Sequence, residues 1–172
     1  MQKNKDEKRF DITVVGGGLT GKLMVSILIK SGIFKKNKLC WINNEKKFSK
    51  DKRVSFLNYK NFFKLKNYYG INFSNSDYLK INKIQIHNID EFKPLSLEDK
   101  IGHGIIIRND IFKNNLVISN DDLTIYKSKV VSTNCNEFCR YLILEDGKKI
   151  SSSLVLSADG NSSLLRKLSD IK

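Results

Sequence analysis

The chain is short of proline, arginine, histidine and cysteine, and each shortage excludes something. One proline and ten glycines in 172 residues rule out collagen-like and proline-rich architectures. No apolar run reaches the roughly 18 residues of a membrane span. The longest candidate, Leu19 to Ile29, is broken by Gly21 and Lys22 and closed by Lys30. The opening MQKNKDEKRF has no apolar stretch, and its acids Asp6 and Glu7 argue against a secretory signal or a transit peptide. The cysteines number three, an odd count. Cys135 and Cys139 have no second Cys or His pair to complete a zinc site, so no metal is expected. Cys40 lies in an apolar run and reads as a small buried hydrophobe. This usage suits a reducing, cytoplasmic compartment.

What is present suffices for a folded domain. The chain is 40% hydrophobic and 28% charged, and at this length it can bury roughly 70% of its unfolded surface. Thirty-one basic residues against eighteen acidic ones give a net charge of +13, which by itself suggests nucleic acid or an anionic membrane. Only five of the basic residues are arginine, however: Arg9, Arg53, Arg108, Arg140 and Arg166. The lysines are scattered, and asparagine and isoleucine are abundant too. That joint excess is what AT-rich codons produce, so the charge is read largely as compositional drift and no nucleic-acid partner is expected.

The order of elements is legible in outline. Phe10, Ile12, Val14 and Val15 form a short apolar run that suits a buried parallel strand. Gly16-Gly-Gly-Leu-Thr-Gly21 follows, then a helical stripe of Leu19, Leu23, Met24, Ile27 and Leu28 that Ser31-Gly32 should stop. Leu39 to Ile42 reads as a second strand, completing a β-α-β unit with a right-handed crossover. A lysine-rich connection spans 44–53, and the spacing of Phe62, Leu65 and Tyr69 predicts a helix over 56–69. Leu79 to Ile89 alternates like a half-exposed strand. Gly104 to Ile107 reads as a strand, with Asn109 capping a helix to about Ile118. Leu123 to Val131 reads as another strand, and Tyr141–Leu144 and Lys149–Ser151 as a hairpin around Asp146-Gly147. Leu154 to Ser157 reads as a last apolar strand, leading into Ala158-Asp159-Gly160.

Two motifs carry chemistry. Gly16-x-Gly18-x-x-Gly21 matches the dinucleotide fingerprint in its required place between strand and helix. The first glycine turns the chain, the second admits a pyrophosphate to the backbone, and the third lets the helix pack close to the strand. The helix N-terminus then offers N–H groups and partial positive charge to phosphate. The acid expected about 20 residues on, to hold ribose hydroxyls, is replaced by Asn43, with Asn44 and Glu45 behind it. The second motif is Asp159-Gly-x-x-Ser163-x-x-Arg166 after a strand. His87 and His103 read as structural or solvent-facing, and no catalytic residue is assigned.

With these motifs the chain resembles the FAD-dependent aromatic hydroxylases of the p-hydroxybenzoate hydroxylase group, and within it the ubiquinone-biosynthesis, UbiH-like branch. The likeness rests on four stretches: Asp11 to Gly21; Asp51-Lys-Arg53-Val-Ser-Phe-Leu57; Gly102-His103 with Arg108-Asn-Asp110-Ile111; and Ala158 to Arg166. Their order and spacing agree across essentially the whole chain. The resemblance implies an α/β fold, a Rossmann-like FAD/NAD(P)-binding domain with part of a β-rich substrate region. It implies one incomplete FAD-binding domain over 1–172. In it, 1–70 would be the dinucleotide unit and following helix, 71–108 partial substrate-region strands, and 109–172 the return to the FAD domain. It also implies that Gly16, Gly18, Thr20 and Gly21 hold the FAD pyrophosphate, with Asn43 at the ribose position. Arg53 and Arg108 would approach the cofactor, and Asp159 would sit beside its phosphate-ribitol region. The implied reaction is hydroxylation of a small aromatic ring, a polyprenylated phenol in the ubiquinone branch, with NAD(P)H reducing FAD at the periphery of the inner membrane. The family's later Gly-Asp motif has no counterpart, since no Gly-Asp dipeptide occurs in the sequence. The expectation is therefore an N-terminal half, either a truncated or split gene product or one that a partner chain completes. Three other readings stand beside it: an inactive relic of such an enzyme, a basic binding module without flavin, and a different flavin enzyme of the same fold, such as a reductase or halogenase, against which the Asp159-Gly-x-x-Ser163-x-x-Arg166 pattern tilts.

Overall fold

A computed structural model of the protein describes residues 8–33, 38–44, 51–87, 93–118 and 123–169. In chain order the elements are β1 (Lys8–Val15), α1 (Leu19–Lys30), β2 (Leu39–Ile42), β3 (Val54–Asn58), α2 (Tyr59–Phe63) continued by a wide π turn (Lys64–Tyr68), β4 (Tyr78–Ile81), β5 (Lys83–Ile86), β6 (Leu95–Glu98), β7 (Gly104–Arg108), α3 (Asn109–Asn115), β8 (Leu123–Tyr126), β9 (Val130–Cys135), β10 (Arg140–Leu144), β11 (Lys149–Ser157) and α4 (Leu164–Leu168). The chain divides into two compact units, one of Met1–Lys47 with Val117–Lys172 and one of Phe48–Leu116. The segment 48–70, placed with the dinucleotide unit in the sequence reading, groups with the second of these.

The first unit is built on a six-stranded sheet in the order β8-β2-β1-β11-β10-β9. The four strands β8, β2, β1 and β11 run parallel, and β10 and β9 continue the sheet antiparallel. All four residues of β2 are buried, as a strand covered on both faces requires. Leu39 and Trp41 pack with Val14 and Val25 on one side. Cys40 and Ile42 pack with Val15, Leu142, Leu144 and Ile150 on the other. Helix α1 stops at Ser31, and Gly32 follows at φ +64°, a left-handed residue of the kind that ends helices. Its deepest positions are Gly21, Val25 and Ser26, whereas the larger Leu23, Met24 and Ile27 of the expected stripe are only half-buried. Close approach of helix to sheet places the smaller side chains at the contact.

Pairing changed two of the expected strands. The run 123–131 is broken at 127–129 because β8 pairs with β2 whereas β9 pairs with β10. The two runs expected at 149–151 and 154–157 are one strand, β11, whose first half closes the hairpin with β10 while its full length lies along β1.

The second unit holds a three-stranded antiparallel sheet, β3-β7-β4, and a separate β5-β6 ribbon. The helix expected from residue 56 starts at Tyr59, because Val54 to Asn58 pair with β7 along their whole length. Asn58 caps it, its side chain accepting from the Asn61 N–H at 2.8 Å. The expected strand 79–89 is divided at Asn82 into β4 and β5, and its end at Ile89 lies outside the described residues. The N-cap position of α3 is Arg108 rather than Asn109, no side chain caps that end, and the helix ends at Asn115. The core here is aromatic: Phe73 lies 5.5 Å from both Phe62 and Phe112, ring centre to ring centre. The lysine-rich connection expected over 44–53 falls outside the described residues from 45 to 50.

Candidate functional site: a glycine-loop cleft

Because β1, β2, β8 and β11 are parallel, their carboxyl ends share one edge of the sheet, where open α/β sheets bind ligands. A cleft of about 480 Å³ lies there. Gly16 and Gly18 reach it after β1, Asn44 after β2, Ser128 and Lys129 after β8, and Asp159 and Ser162 after β11.

The three fingerprint glycines have different surroundings. Gly16 has φ +126°, and a Cβ on it would stand 2.1 Å from the carbonyl oxygen of Ala158. A Cβ on Gly21 would stand 2.1 Å from the carbonyl oxygen of Gly16. Both are fixed by packing. Gly18 is the opposite case, with no atom within 4 Å of a Cβ built on it, and it lines the cleft. It is also the N-cap of α1, and no side chain caps that end. Lys22 N–H makes the first intrahelical bond, to Gly18 O at 3.0 Å. The earlier N–H groups of a helix have no acceptor within it, and α1 has no acid in its first turn. Thr20 is exposed on that turn.

The loop is held from two sides. The indole N–H of Trp41 donates to Gly16 O at 2.8 Å, and Ala158 N–H donates to Val15 O at 2.7 Å. Asp159 braces the next loop. Its Oδ1 accepts from Ser157 Oγ at 2.6 Å, and its Oδ2 accepts from the N–H groups of Leu164 (2.9 Å) and Leu165 (3.3 Å). Partial burial works against ionising this carboxyl. Hydrogen bonds from Ser157, Ser163 and the Leu165 backbone outweigh it and hold the carboxyl below its ordinary range.

The other sequence-predicted residues fall as follows. Asn43 N–H ties β2 to β8 by donating to Tyr126 O at 2.9 Å; it is Asn44, one residue on, that lines the cleft. Glu45 lies outside the described residues. Arg53 and Arg108 belong to the second unit. Each guanidinium forks onto a carboxylate two residues away: Arg53 Nε and Nη2 donate to Asp51 at 2.8 and 2.7 Å, and Arg108 donates in the same way to Asp110. These side-chain bonds from the arginines draw both carboxyls below their usual range, Asp51 the further. Asn109 joins the cluster, its Nδ2 donating to Asp51 Oδ2 at 3.3 Å. Sequence reasoning missed Trp41 and the Ser128–Lys129 turn. The first looked like one more core residue. The second lay inside what read as a continuous strand.

No family model and no curated protein matches the sequence. Solved structures do match. The p-nitrophenol 4-monooxygenase PnpA of Pseudomonas putida DLL-E4 is 15% identical at a TM-score of 0.73, over 94% of this chain and 44% of that one. PqsL of Pseudomonas aeruginosa, described as a probable FAD-dependent monooxygenase, is 14% identical at 0.72, over 96% and 46%. The halogenase PltM, solved with phloroglucinol and FAD, is 16% identical at 0.64, over 92% and 36%. The chain shares their fold. It spans less than half the length of each.

Proposed function

We propose that this chain provides the Rossmann-like FAD-binding part of a monooxygenase that hydroxylates an aromatic ring. The observation that carries the reading is Gly18: an open backbone position facing a cleft at the carboxyl ends of parallel strands, in a fold shared with flavin enzymes. When bound, FAD supplies the redox chemistry of oxygen insertion, with NAD(P)H as reductant. The chain's own residues bind and orient. Gly18 admits the pyrophosphate to the backbone, and the first N–H groups of α1 meet its charge. The exposed ammonium of Lys129 adds attraction at the rim. Asn44 stands where ribose hydroxyls need a partner, and Asp159 fixes the loop that closes the cleft beside Ala158. Arg53 and Arg108, already paired with carboxylates, would exchange or share those partners on meeting a cofactor. Ubiquinone biosynthesis as the setting, with a polyprenylated phenol as the ring, rests on the sequence resemblance alone.

The test is the visible spectrum of the purified chain, followed by fluorescence titration with FAD. Stoichiometric binding at micromolar concentration or tighter is expected. Gly18→Val should weaken it by at least about tenfold, or 1.4 kcal/mol. A colourless chain that does not bind FAD at saturating concentration would overturn the reading and leave the fold assignment intact.

A further inference from the structure

Strand β11 is longer than the pairing on one of its sides. Residues 150–157 lie along β1, whereas β10 pairs only with 149–152. Its neighbours in the sheet are β1 and β10, so among the described residues no strand stands beside 153–157 on the side away from β1. The N–H of Ala158 reaches Val15 O on β1. By alternation along the strand, Ser157 and Val155 turn their backbone groups the other way, to the open side, where an edge leaves them without ladder partners. That side gives onto a concavity of about 290 Å³ lined by Arg140, Val155, Ser157, Leu165, Arg166 and Ser169. It is therefore a short notch walled by residues of β10 and α4 rather than a free rim.

The composition of the open stretch says what fits beside it. Val155 packs against the cluster of Phe10, Leu142 and Ile150. Leu156 packs against that of Val14, Val25 and Leu39, and Leu154 stays 49% exposed. A strand covered on both faces is a near-continuous apolar run, and a strand laid beside Leu154-Val155-Leu156 meets the same apolar surroundings. The outer strand β9 offers no such match, since it carries Ser132, Thr133 and Asn134. The occupant does not come from residues 1–172. The stretches outside the described residues, 1–7, 34–37, 45–50, 88–92, 119–122 and 170–172, contain no two adjacent apolar residues. A second copy is opposed by charge, because each chain carries +13. Each notch also holds two arginines that face no carboxylate among the described residues: Arg140 donates to the hydroxyls of Thr133 and Ser169, and Arg166 to Asn161 O. An acidic partner meets no such opposition. The solved structures that share this fold also include polypeptide that this chain, spanning less than half of each, does not supply.

We propose that the notch beside residues 153–157 takes an extended, apolar segment of a separate acidic polypeptide, which joins the sheet as a strand next to β11. The inference rests on strand pairing, so its test needs no flavin and its failure is separate from failure of the flavin reading. The full chain is titrated with a capped peptide, Glu-Glu-Val-Leu-Val-Leu-Val-Glu-Glu, and amide hydrogen exchange is followed residue by residue. In the chain alone the Val155 and Ser157 amides should exchange fast for residues of a central strand. Saturable one-to-one binding should then slow both at least about tenfold and leave β9 unchanged. The same peptide with proline for each leucine keeps the charge but loses two ladder donors, and it should not protect them. Leu154→Glu places a like charge at the notch on a half-exposed side chain. It should raise the dissociation constant at least about tenfold, equivalent to 1.4 kcal/mol, with an unchanged circular dichroism spectrum confirming the fold. Equal binding of the proline peptide would mean diffuse attraction to a chain of charge +13 and would overturn the site. So would absence of binding, or protection confined to β9. Protection of Val155 and Ser157 that rises with chain concentration in the absence of peptide would give the notch to a second copy and overturn the partner.

Discussion

At the residue scale, the loop after β1 separates what glycine does for folding from what the proposed function asks of it. A methyl on Gly16 or Gly21 meets a carbonyl oxygen at 2.1 Å, backbone against backbone, with no flexible side chain to give way. Gly16→Ala and Gly21→Ala should each lower stability by about 1–3 kcal/mol or more in urea unfolding. Gly18→Ala meets nothing and adopts a φ of −64° that any residue tolerates. Its unfolding midpoint should stay within about 0.5 kcal/mol of wild type, while FAD affinity falls.

Asp159 gives a second residue-scale prediction. Its carboxyl is held below the ordinary range by hydrogen bonds that outweigh burial. A depressed folded pKa means a contribution fully present above the unfolded value of about 3.9 and lost as pH falls through the folded value. Asp159→Asn should therefore lose less stability than wild type between about pH 5 and pH 3, read as unfolding free energy against pH. An identical acid slope in the two proteins would refute this account of Asp159.

At the element scale, each strand's surroundings decide its chemistry. Cys40 in β2 is enclosed between β1 and β8, and burial pushes its thiol up to about 12. Cys135 and Cys139 flank the β9–β10 turn, the first exposed and the second half-buried. A thiol-specific reagent at neutral pH should modify two cysteines in the native chain and three after denaturation. Rapid reaction of all three in the native chain would mean that β2 is not enclosed as described. The elements also differed in how readable they were. β2 and the limits of α1 were plain, because four consecutive apolar residues and a Ser-Gly stop act locally. The start of α2 and the break between β8 and β9 were not. Asn58 and residues 127–129 are set by strands far away in sequence, and no local pattern encodes a change of partner.

At the scale of the whole molecule, the described residues leave apolar surface uncovered in the second unit. Phe56, Ile106 and Leu79 stand in register across β3, β7 and β4, with Phe56 51% and Leu79 72% exposed. Such a row on an open sheet is a surface prone to association. Phe56→Ser combined with Leu79→Thr should reduce light scattering and binding of an apolar dye. It should leave the unfolding free energy within about 1 kcal/mol, because little burial is lost. Unchanged scattering would place the sticky surface elsewhere.

The sequence by itself determined the β-α-β beginning, the glycine loop between strand and helix and the Asp159 motif, because each is written in neighbouring residues whose spacing obeys local geometry. Tertiary structure alone decided which residues share the cleft. Parallel pairing brings residues 16–18, 44, 128–129, 158–160 and 162 to one edge, and it puts Asn44 rather than Asn43 there. Trp41 became a brace for Gly16 only once β2 lay beside β1. Arg140 and Arg166 line one concavity only because α4 packs against β9, whose last residue pairs with Arg140 at the start of β10. Contacts between distant segments depend on strand order and register, and those follow from how the whole chain buries its apolar faces.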